Sequence, residues 1–318
     1  MAAALRVATR GSALARWQAE RVVALLGVDA ELVVVSTRGD ERADVPIHAM
    51  GGTGVFVKEV GQRVLDGHAD IAVHSAKDLP SATQPGLALA AVPERGDARD
   101  ALVGAALDDI PTGGRIGTGS VRRRSQLANL RPDLTFGELR GNIPTRLEKA
   151  TAFDAVVVAA AALDRLGLGD RIAERLPPAV MLPQVGQGAL AVECRADDES
   201  TVELLAAIDD AGTHAAVDAE RAYLERLGGG CNLPVGALAG VGADGAIEIE
   251  ALLASLDGRV ALRARASGSD PDTVGAEVAD QLLDAHGGRL LLDDLDALAS
   301  PASKSSSLAT PKQSGRTT

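Results

Sequence analysis

The chain has few cysteines and no long hydrophobic run. Two cysteines, Cys194 and Cys231, are too few for the disulfide framework on which small secreted domains depend. No apolar run approaches the roughly 20 residues that a membrane-spanning helix needs. The first residues, MAAALRVATR, lack the cationic segment and apolar run of a secretory signal. These absences predict a soluble, cytoplasmic protein that does not enter a membrane.

Positive charge and aromatic rings are also scarce. The 318 residues carry 32 Lys+Arg against 44 Asp+Glu, a formal net charge of −12. A general nucleic-acid binder needs a basic face that displaces counterions, and anionic membranes attract basic segments, so we expect neither partner. Aromatic residues make up 2%, so Ala, Val and Leu must fill the cores. The five histidines show no metal-ligand spacing, and no metal site is predicted.

Strand-like and helix-like runs alternate over most of the chain. Such alternation predicts α/β domains with open, mostly parallel, doubly wound sheets covered on both faces. After about residue 210 a helix pattern precedes three strand-like runs joined by the turns ADGA and LDGR, which indicates a small C-terminal α+β domain. The predicted bounds are residues 1–93 with 189–207 for domain 1, 98–186 for domain 2, 211–299 for domain 3, and 300–318 for a disordered tail.

One turn concentrates arginine in this acidic chain. GTGSVRRRSQ (Gly117–Gln126) follows a strand pattern and opens a helix, so Thr118, Ser120 and the helix N-terminus face a ligand position. Arg122 and Arg123 can add bidentate forks for carboxylates or phosphates. LRGNIPTR repeats the arrangement one strand–helix unit later. The alternative is that these arginines lie on a solvated surface.

Other strand ends carry similar groups. LRGNIPTR supplies Arg140 and Arg146, TRGS supplies Arg10 and Ser12, and the acid of HSAKDLP is Asp78. HSAKDLP also supplies Ser75 and Lys77. We expect a positively charged cleft between two α/β domains, occupied by a ligand with many carboxylates or phosphates. Asp78 is unexpected in an anion site: it either pairs with a neighbouring cation or accepts N–H bonds and moves protons.

Cys231 follows three glycines in LGGGCNLPVG, between a helix pattern and a strand pattern. A cysteine on a glycine-rich loop is a candidate for covalent chemistry, although a lone cysteine is more often inert. Cys194 lies inside the strand pattern ALAVECR and is expected to pack in a core.

Taken together, these segments resemble the hydroxymethylbilane synthase family, also called porphobilinogen deaminase. The matching segments, in family order from Leu5 to about Gly236, are RVATRGSALARWQ, VSTRGD, GGTGVFVKE, DIAVHSAKDLP, GTGSVRRRSQL, LRGNIPTRLEK, LPQVGQGALAVECR and AERAYLERLGGGCNLPVG. The resemblance implies a monomeric transferase whose first two domains are like those of periplasmic binding proteins.

The resemblance also implies a reaction and its residues. Four units of porphobilinogen lose ammonia and join head to tail into linear hydroxymethylbilane, on a dipyrromethane primer held by a thioether. Cys231 matches the attachment cysteine and Asp78 the catalytic aspartate. Arg221 matches a family arginine near the cofactor loop. The positions that match cofactor- and substrate-binding residues are Arg10, Ser12, Phe56, Ser75, Lys77, Thr118, Ser120, Arg122, Arg123, Arg140, Arg146, Arg165 and Gln187.

Four positions depart from the family pattern. Ala49 and Thr53 stand where well-known relatives carry lysines, Gly119 where many have serine, and Pro144 where a smaller residue is usual. A rival interpretation keeps the two-domain plan but makes the chain a non-catalytic carboxylate binder. The glycine-loop cysteine and the missing export signal argue against that rival.

Overall fold

The computed structural model describes residues 4–36, 57–229 and 233–299, with side chains described as far as residue 293. Ala49, Thr53, Phe56, Cys231 and the predicted tail lie outside the described residues.

Strands and helices alternate as the sequence pattern predicts. The strands of the described residues are β1 (Leu5–Arg10), β2 (Ala30–Val35), β3 (Ile71–Ser75), β4 (Leu87–Ala91), β5 (Asp100–Val103), β6 (Arg115–Gly117), β7 (Thr135–Gly137), β8 (Ala155–Ala159), β9 (Glu174–Leu176), β10 (Leu190–Arg195), β11 (Val235–Val241), β12 (Ile247–Ala254) and β13 (Ala261–Gly268). The helices are α1 (Ala13–Leu26), α2 (Lys58–Leu65), α3 (Val121–Leu130), α4 (Ile143–Lys149), α5 (Ala160–Arg165), α6 (Glu199–Ala206), α7 (Ala211–Arg226), α8 (Pro271–Asp280) and α9 (Gly288–Ala299).

Two five-stranded sheets share one topology. The first has the order β2-β1-β3-β10-β4 and the second β7-β6-β8-β5-β9. In each, three neighbouring strands are parallel, and the fourth, β10 or β5, runs antiparallel to both of its neighbours. We call them, with their helices, the first and second α/β units. The predicted α/β class is confirmed, and the inserted antiparallel strand in each sheet is a feature that the alternation does not predict.

The chain passes between these units twice. Residues 92–99, the first crossing, lead into β5, and residues 177–189, the second crossing, lead into β10. The crossings touch where the Gly96 amide donates to the Gly188 carbonyl at 3.1 Å. Gly188 has a φ of +89°, and a Cβ there would lie 2.6 Å from the Gly96 oxygen. Only glycine permits so close an approach of the two backbones.

The third unit is an antiparallel sheet, β11-β12-β13, covered by α7 and α8. Both predicted hairpins are confirmed. Tyr223 of α7 is fully buried against the sheet, and its hydroxyl donates to the Leu252 carbonyl at 2.7 Å. A buried tyrosine with its hydroxyl satisfied anchors this helix to the sheet.

Serines start the first helix of each α/β unit. Ser12 accepts from the Ala15 amide at the start of α1, and Ser120 accepts from the Arg123 amide at the start of α3. Each serine oxygen thereby satisfies an amide that the first turn of its helix leaves unpaired. The two strand-to-helix turns, β1–α1 and β6–α3, are therefore built alike, and both open at the carboxyl ends of parallel strands. Within the described ranges, no helix combines the length and apolar character needed to cross a membrane.

Candidate functional site

Side chains from all three units line one cavity, which we call the front cavity. It lies where β3, α3, the second crossing and α7 meet, and its lining includes Lys77, Pro80, Ser120, Arg122, Arg221 and Leu233. Leu233 directly follows residues 230–232, which lie outside the description. The cavity brings together residues that the sequence places more than a hundred positions apart.

Asp78 and Lys77 lie on a single helical turn (Ala76–Asp78) after β3. Burial lowers the pKa of Lys77 to about 8; the charge of Asp78 opposes this shift and that of Arg123 adds to it. No described residue hydrogen-bonds to the Asp78 carboxylate. Lys77 therefore titrates near neutral pH, and the Asp78 carboxylate retains its capacity to accept hydrogen bonds from a ligand.

Arg122 and Arg123 converge on a carboxylate that the sequence analysis does not identify, that of Asp100. Arg122 Nη1 donates to Asp100 Oδ2 at 2.7 Å, and Arg123 Nη2 donates to Oδ1 at 2.7 Å. Gln187 Nε2 donates to the same Oδ1 at 2.9 Å. Asp100 is fully buried, which alone would raise its pKa, but the two guanidinium groups outweigh burial and hold the pKa well below its usual range.

Three polar atoms in this network remain without partners. Arg122 Nε and Nη2 and Gln187 Oε1 are buried and have no hydrogen-bond partner among the described residues. A buried, unpaired guanidinium N–H is costly, so native structures normally supply an acceptor. Because Arg122 lines the front cavity, a ligand carboxylate is a suitable acceptor.

Arg140 and Arg146 lie on the turn and helix after β7. Arg146 Nε donates to the Gly141 carbonyl at 2.8 Å, and Arg140 Nη2 lies 3.4 Å from the exposed Glu138 carboxylate. Burial lowers the pKa of Arg146 to about 10; Arg123 adds to this effect, whereas Asp78 opposes it. The effect of Asp78 on Arg146 indicates that these two charges, one from each α/β unit, lie near each other.

The predicted hydroxyl groups mainly order the backbone. Thr118 Oγ1 accepts from the Ser120 amide at 3.2 Å, and Ser75 Oγ accepts from Gln18 Nε2 at 2.8 Å. The hydroxyl oxygens of the two capping serines, Ser12 and Ser120, also accept hydrogen bonds. Each hydroxyl hydrogen still can be donated to an anion. Arg10 lies half-buried at the end of β1, beside the cap Ser12.

Arg165 lies apart from the front cavity. Its Nη2 donates to the Gly188 carbonyl at 2.6 Å, and its guanidinium lies 5.6 Å from the centre of the Trp17 ring. Burial lowers its pKa to about 10. It lines a second cavity that shares no lining residue with the front cavity.

Sequence reasoning missed Asp100, and it also missed a buried carboxylate at the joint of the three units. Glu220 accepts from Arg95 Nη1 at 2.6 Å, from the Gly186 amide at 2.6 Å and from the Ala239 amide at 2.9 Å. It therefore ties both crossings to the third unit. A lone acid at the start of a buried strand or inside an apolar helix face is the signal that points to such residues.

Of the two cysteines, only Cys194 lies in the part of the chain that the structure describes. Cys194 is buried in β10, as predicted, and burial raises the pKa of its thiol, so it is a poor nucleophile. Cys231 lies outside the described residues. In those residues there is also no group of three or more His, Cys, Asp or Glu side chains suited to a metal ion.

Comparison with known proteins identifies the family. The model of the porphobilinogen deaminase dipyrromethane cofactor-binding domain matches residues 5–203, and that of the porphobilinogen deaminase C-terminal domain matches residues 214–284. Porphobilinogen deaminase of Syntrophobacter fumaroxidans is 45% identical over 92% of this chain and 97% of its own length. That of a Roseiflexus species is 47% identical over 91% and 98%, and that of Syntrophotalea carbinolica 46% over 94% and 98%.

Among solved structures, an arginine-specific periplasmic binding protein of Salmonella typhimurium aligns over 65% of this chain and 92% of its own, at 14% identity and a TM-score of 0.36. Likeness at that level supports no assignment of ligand or activity. The sequence relatives and the two domain models cover nearly the whole chain and confirm the resemblance inferred from the motifs. The chain belongs to the porphobilinogen deaminase family.

Proposed function

We propose that the chain deaminates porphobilinogen and joins four units head to tail into linear hydroxymethylbilane, on a covalently held dipyrromethane primer. Membership in the family supports the reaction, and its matching cofactor-binding domain supports the primer. The single observation that carries the proposal is the front cavity, where the unpaired buried N–H groups of Arg122 lie with Lys77 and Arg221.

The residues of the front cavity fit a primer of this kind. Each pyrrole bears an acetate and a propionate, so two rings bring four carboxylates. Arg122 offers two unpaired donors, and Lys77 and Arg221 add positive charge. When bound, the dipyrromethane would supply the free pyrrole carbon to which the first unit is joined, and each later unit would be joined to the last ring of the growing chain. Cys231 is the proposed point of attachment; Leu233, two residues further along, contributes to the cavity wall.

The arginines outside the Asp100 network bind the growing chain. Each addition brings two more carboxylates, so the cleft must supply cations beyond the primer site. Arg146 and Arg140, on the second unit, and Arg10, on the first, take these carboxylates as bidentate or single hydrogen bonds. Ser12, Ser75, Thr118 and Ser120 donate their hydroxyl hydrogens to the same groups. Phe56, Arg165 and Gln187 remain proposed binding residues.

Asp78 handles the proton and the N–H groups. Asp100 cannot do so, because its two oxygens already accept hydrogen bonds from Arg122, Arg123 and Gln187. The Asp78 carboxylate is uncommitted, and it can accept pyrrole N–H bonds. It also stabilises positive charge on the ring nitrogen while ammonia leaves, and accepts a proton as the new bond between rings forms.

Intact mass spectrometry tests the proposal. The purified chain should carry the extra mass of two pyrrole units and, after porphobilinogen is added, a ladder of bound intermediates. Cys231→Ala should lack the adduct; an adduct that persists in this variant rejects Cys231 as the anchor. A chain with neither adduct nor ladder is instead the non-catalytic carboxylate binder.

A variant of Asp78 tests its role separately. Asp78→Ala should lose turnover by roughly 10²- to 10⁴-fold, the range for losing a positioned acid–base group, while circular dichroism and thermal unfolding stay unchanged. Near-normal turnover refutes the assignment.

We further propose that the enzyme acts as a monomer in the cytoplasm; its two cysteines are too few for the disulfide framework of small secreted domains. Size-exclusion chromatography with light scattering checks the monomer. A mass of twice 32.4 kDa contradicts it.

A further inference from the structure

The second cavity is lined in part by residues 93–97 of the first crossing and shares no lining residue with the front cavity. We call it the hinge cavity; its volume is about 610 Å³, within the range of small-molecule sites. Helix α1 contributes Trp17, Arg21 and Leu25 to the lining, and α5 contributes further residues, among them Arg165. The contact between Gly96 and Gly188 lies at its edge, where Arg165 also binds the Gly188 carbonyl.

Trp17 gives this cavity an aromatic wall. It is four residues before Arg21 and eight before Leu25, so the three side chains share one face of α1. Leu25 and Ile208 add apolar surface. A flat ring of the size of a pyrrole or benzene can pack against such a wall by stacking and apolar contact.

The charged groups of the cavity divide into committed and uncommitted ones. Arg95 is paired with Glu220, and Asp97 and Asp164 are paired with Arg175. Arg21 and Glu94 are exposed and make no hydrogen bond or ion pair with any described residue. One cation and one anion without a described partner, in a cavity that also holds an aromatic ring, match a ligand that carries both charges.

We propose that the hinge cavity binds a small aromatic zwitterion, with its carboxylate on Arg21, its ammonium on Glu94 and its ring against Trp17. A polyanion such as a nucleotide or a linear tetrapyrrole is disfavoured, because Glu94, Asp209 and Asp210 also line the cavity. Porphobilinogen itself has this chemistry, with an aminomethyl group, a pyrrole and two carboxylates. An aromatic amino acid has it too.

The site does not depend on the proposed function. If the occupant is porphobilinogen, the hinge cavity is a second substrate site in addition to the front cavity. Only this identification of the occupant rests on the proposed reaction. If the occupant is an aromatic amino acid, the site adjoins the crossings and is placed to influence how the units open.

The chain offers a built-in reporter, because Trp17 is its single tryptophan. Trp17 fluorescence is titrated with porphobilinogen and, separately, with L-phenylalanine, in the Asp78→Ala background so that substrate is not consumed. Arg21→Gln and Glu94→Gln each remove one proposed contact. Arg16→Gln removes an exposed arginine of the same helix that does not line the cavity, and is the matched control.

A saturable change with at least one probe, weakened about 10-fold in Kd or more by Arg21→Gln and Glu94→Gln but not by Arg16→Gln, supports the site. A response to porphobilinogen alone identifies the substrate as occupant, and one to phenylalanine identifies an amino acid. No change with either probe overturns the proposal. So does a change that is equal in all variants, since it then arises in the front cavity. The intact-mass ladder of the unmodified chain is an independent readout of the proposed reaction.

Discussion

The first and second α/β units have the same strand order and the same serine-capped first turn, yet they hold their charges differently. In the first unit, Arg10 precedes the cap Ser12 and lies at the strand end. In the second, Arg122 and Arg123 follow the cap Ser120 in the first turn of α3, and their guanidinium groups bind Asp100. Relative to the capping serine, Arg10 lies two residues before it and Arg122 two residues after it. This displacement of four positions separates a half-buried arginine from arginines that are buried on Asp100.

The difference assigns distinct tasks to the two sides. The first unit supplies the uncommitted carboxylate, Asp78, with Lys77 beside it. The second supplies guanidinium groups that a buried carboxylate holds in place before any ligand arrives. Preorganised charges need no reorganisation when a charged ligand binds, which favours a cleft that must accept carboxylates repeatedly.

The largest expected effect on the free energy of unfolding comes from removing the carboxylate of Asp100, which holds Arg122 and Arg123. Asp100→Ala leaves Arg122 and Arg123 buried without their counterion and should lower the free energy of unfolding by about 3–5 kcal/mol. Asp70→Ala removes the more exposed Arg6–Asp70 pair of the first unit and should cost about 1 kcal/mol or less. Urea denaturation measures both. Equal losses would show that the Asp100 network is no more important to the fold than a surface pair.

The sequence predicts the elements of these units well but not their buried partners. Periodicity and caps locate β1, α1 and the helix after GTGS, because these signals are local. The strand-like run LTFGELR is longer than the strand that forms there, because β7 covers only Thr135–Gly137. The predicted domain bounds and site roles stay predictions.

The role of Asp100 cannot be predicted from the sequence, because its hydrogen-bond partners lie 22 and 87 residues away along the chain. A single acid at the edge of a strand pattern is ordinary in sequence, and burial with two arginines becomes visible only in three dimensions. The motif resemblance predicts which arginines bind the ligand, and the structure adds that Asp100 holds two of them, Arg122 and Arg123.

The pH dependence of the free energy of unfolding tests the environment of Lys77 in the first unit. Its pKa is about 8 in the folded chain, against an ordinary 10.5. Between these values the unfolded chain binds more protons, so the contribution of Lys77 to the free energy of unfolding should rise with pH. Below pH 8 its burial as a cation is unfavourable, and above 10.5 both states are neutral.

The measurement compares the wild-type chain with Lys77→Met from pH 7 to 10.5. The wild-type stability should increase relative to the variant across the upper part of this range. Lys149→Met, which removes an exposed lysine from α4, controls for the loss of one charge. A difference that is flat or falls with pH contradicts a lowered pKa at Lys77.

The smallest effect concerns the two turns themselves, through the glycine before each capping serine. A Cβ on Gly11 would lie 3.5 Å from Val34 Cγ1, an ordinary contact, whereas one on Gly119 would lie 3.0 Å from the Leu139 carbonyl oxygen. Gly11→Ala should change the free energy of unfolding by about 0.5 kcal/mol or less, and Gly119→Ala should lower it by about 1 kcal/mol. Thermal unfolding of both variants gives the comparison.

Because the backbone of Leu139 leads directly into Arg140, Gly119→Ala should also raise the KM for porphobilinogen modestly. Gly11→Ala should leave KM unchanged, and identical behaviour of the two variants would mean that the second turn is no tighter than the first.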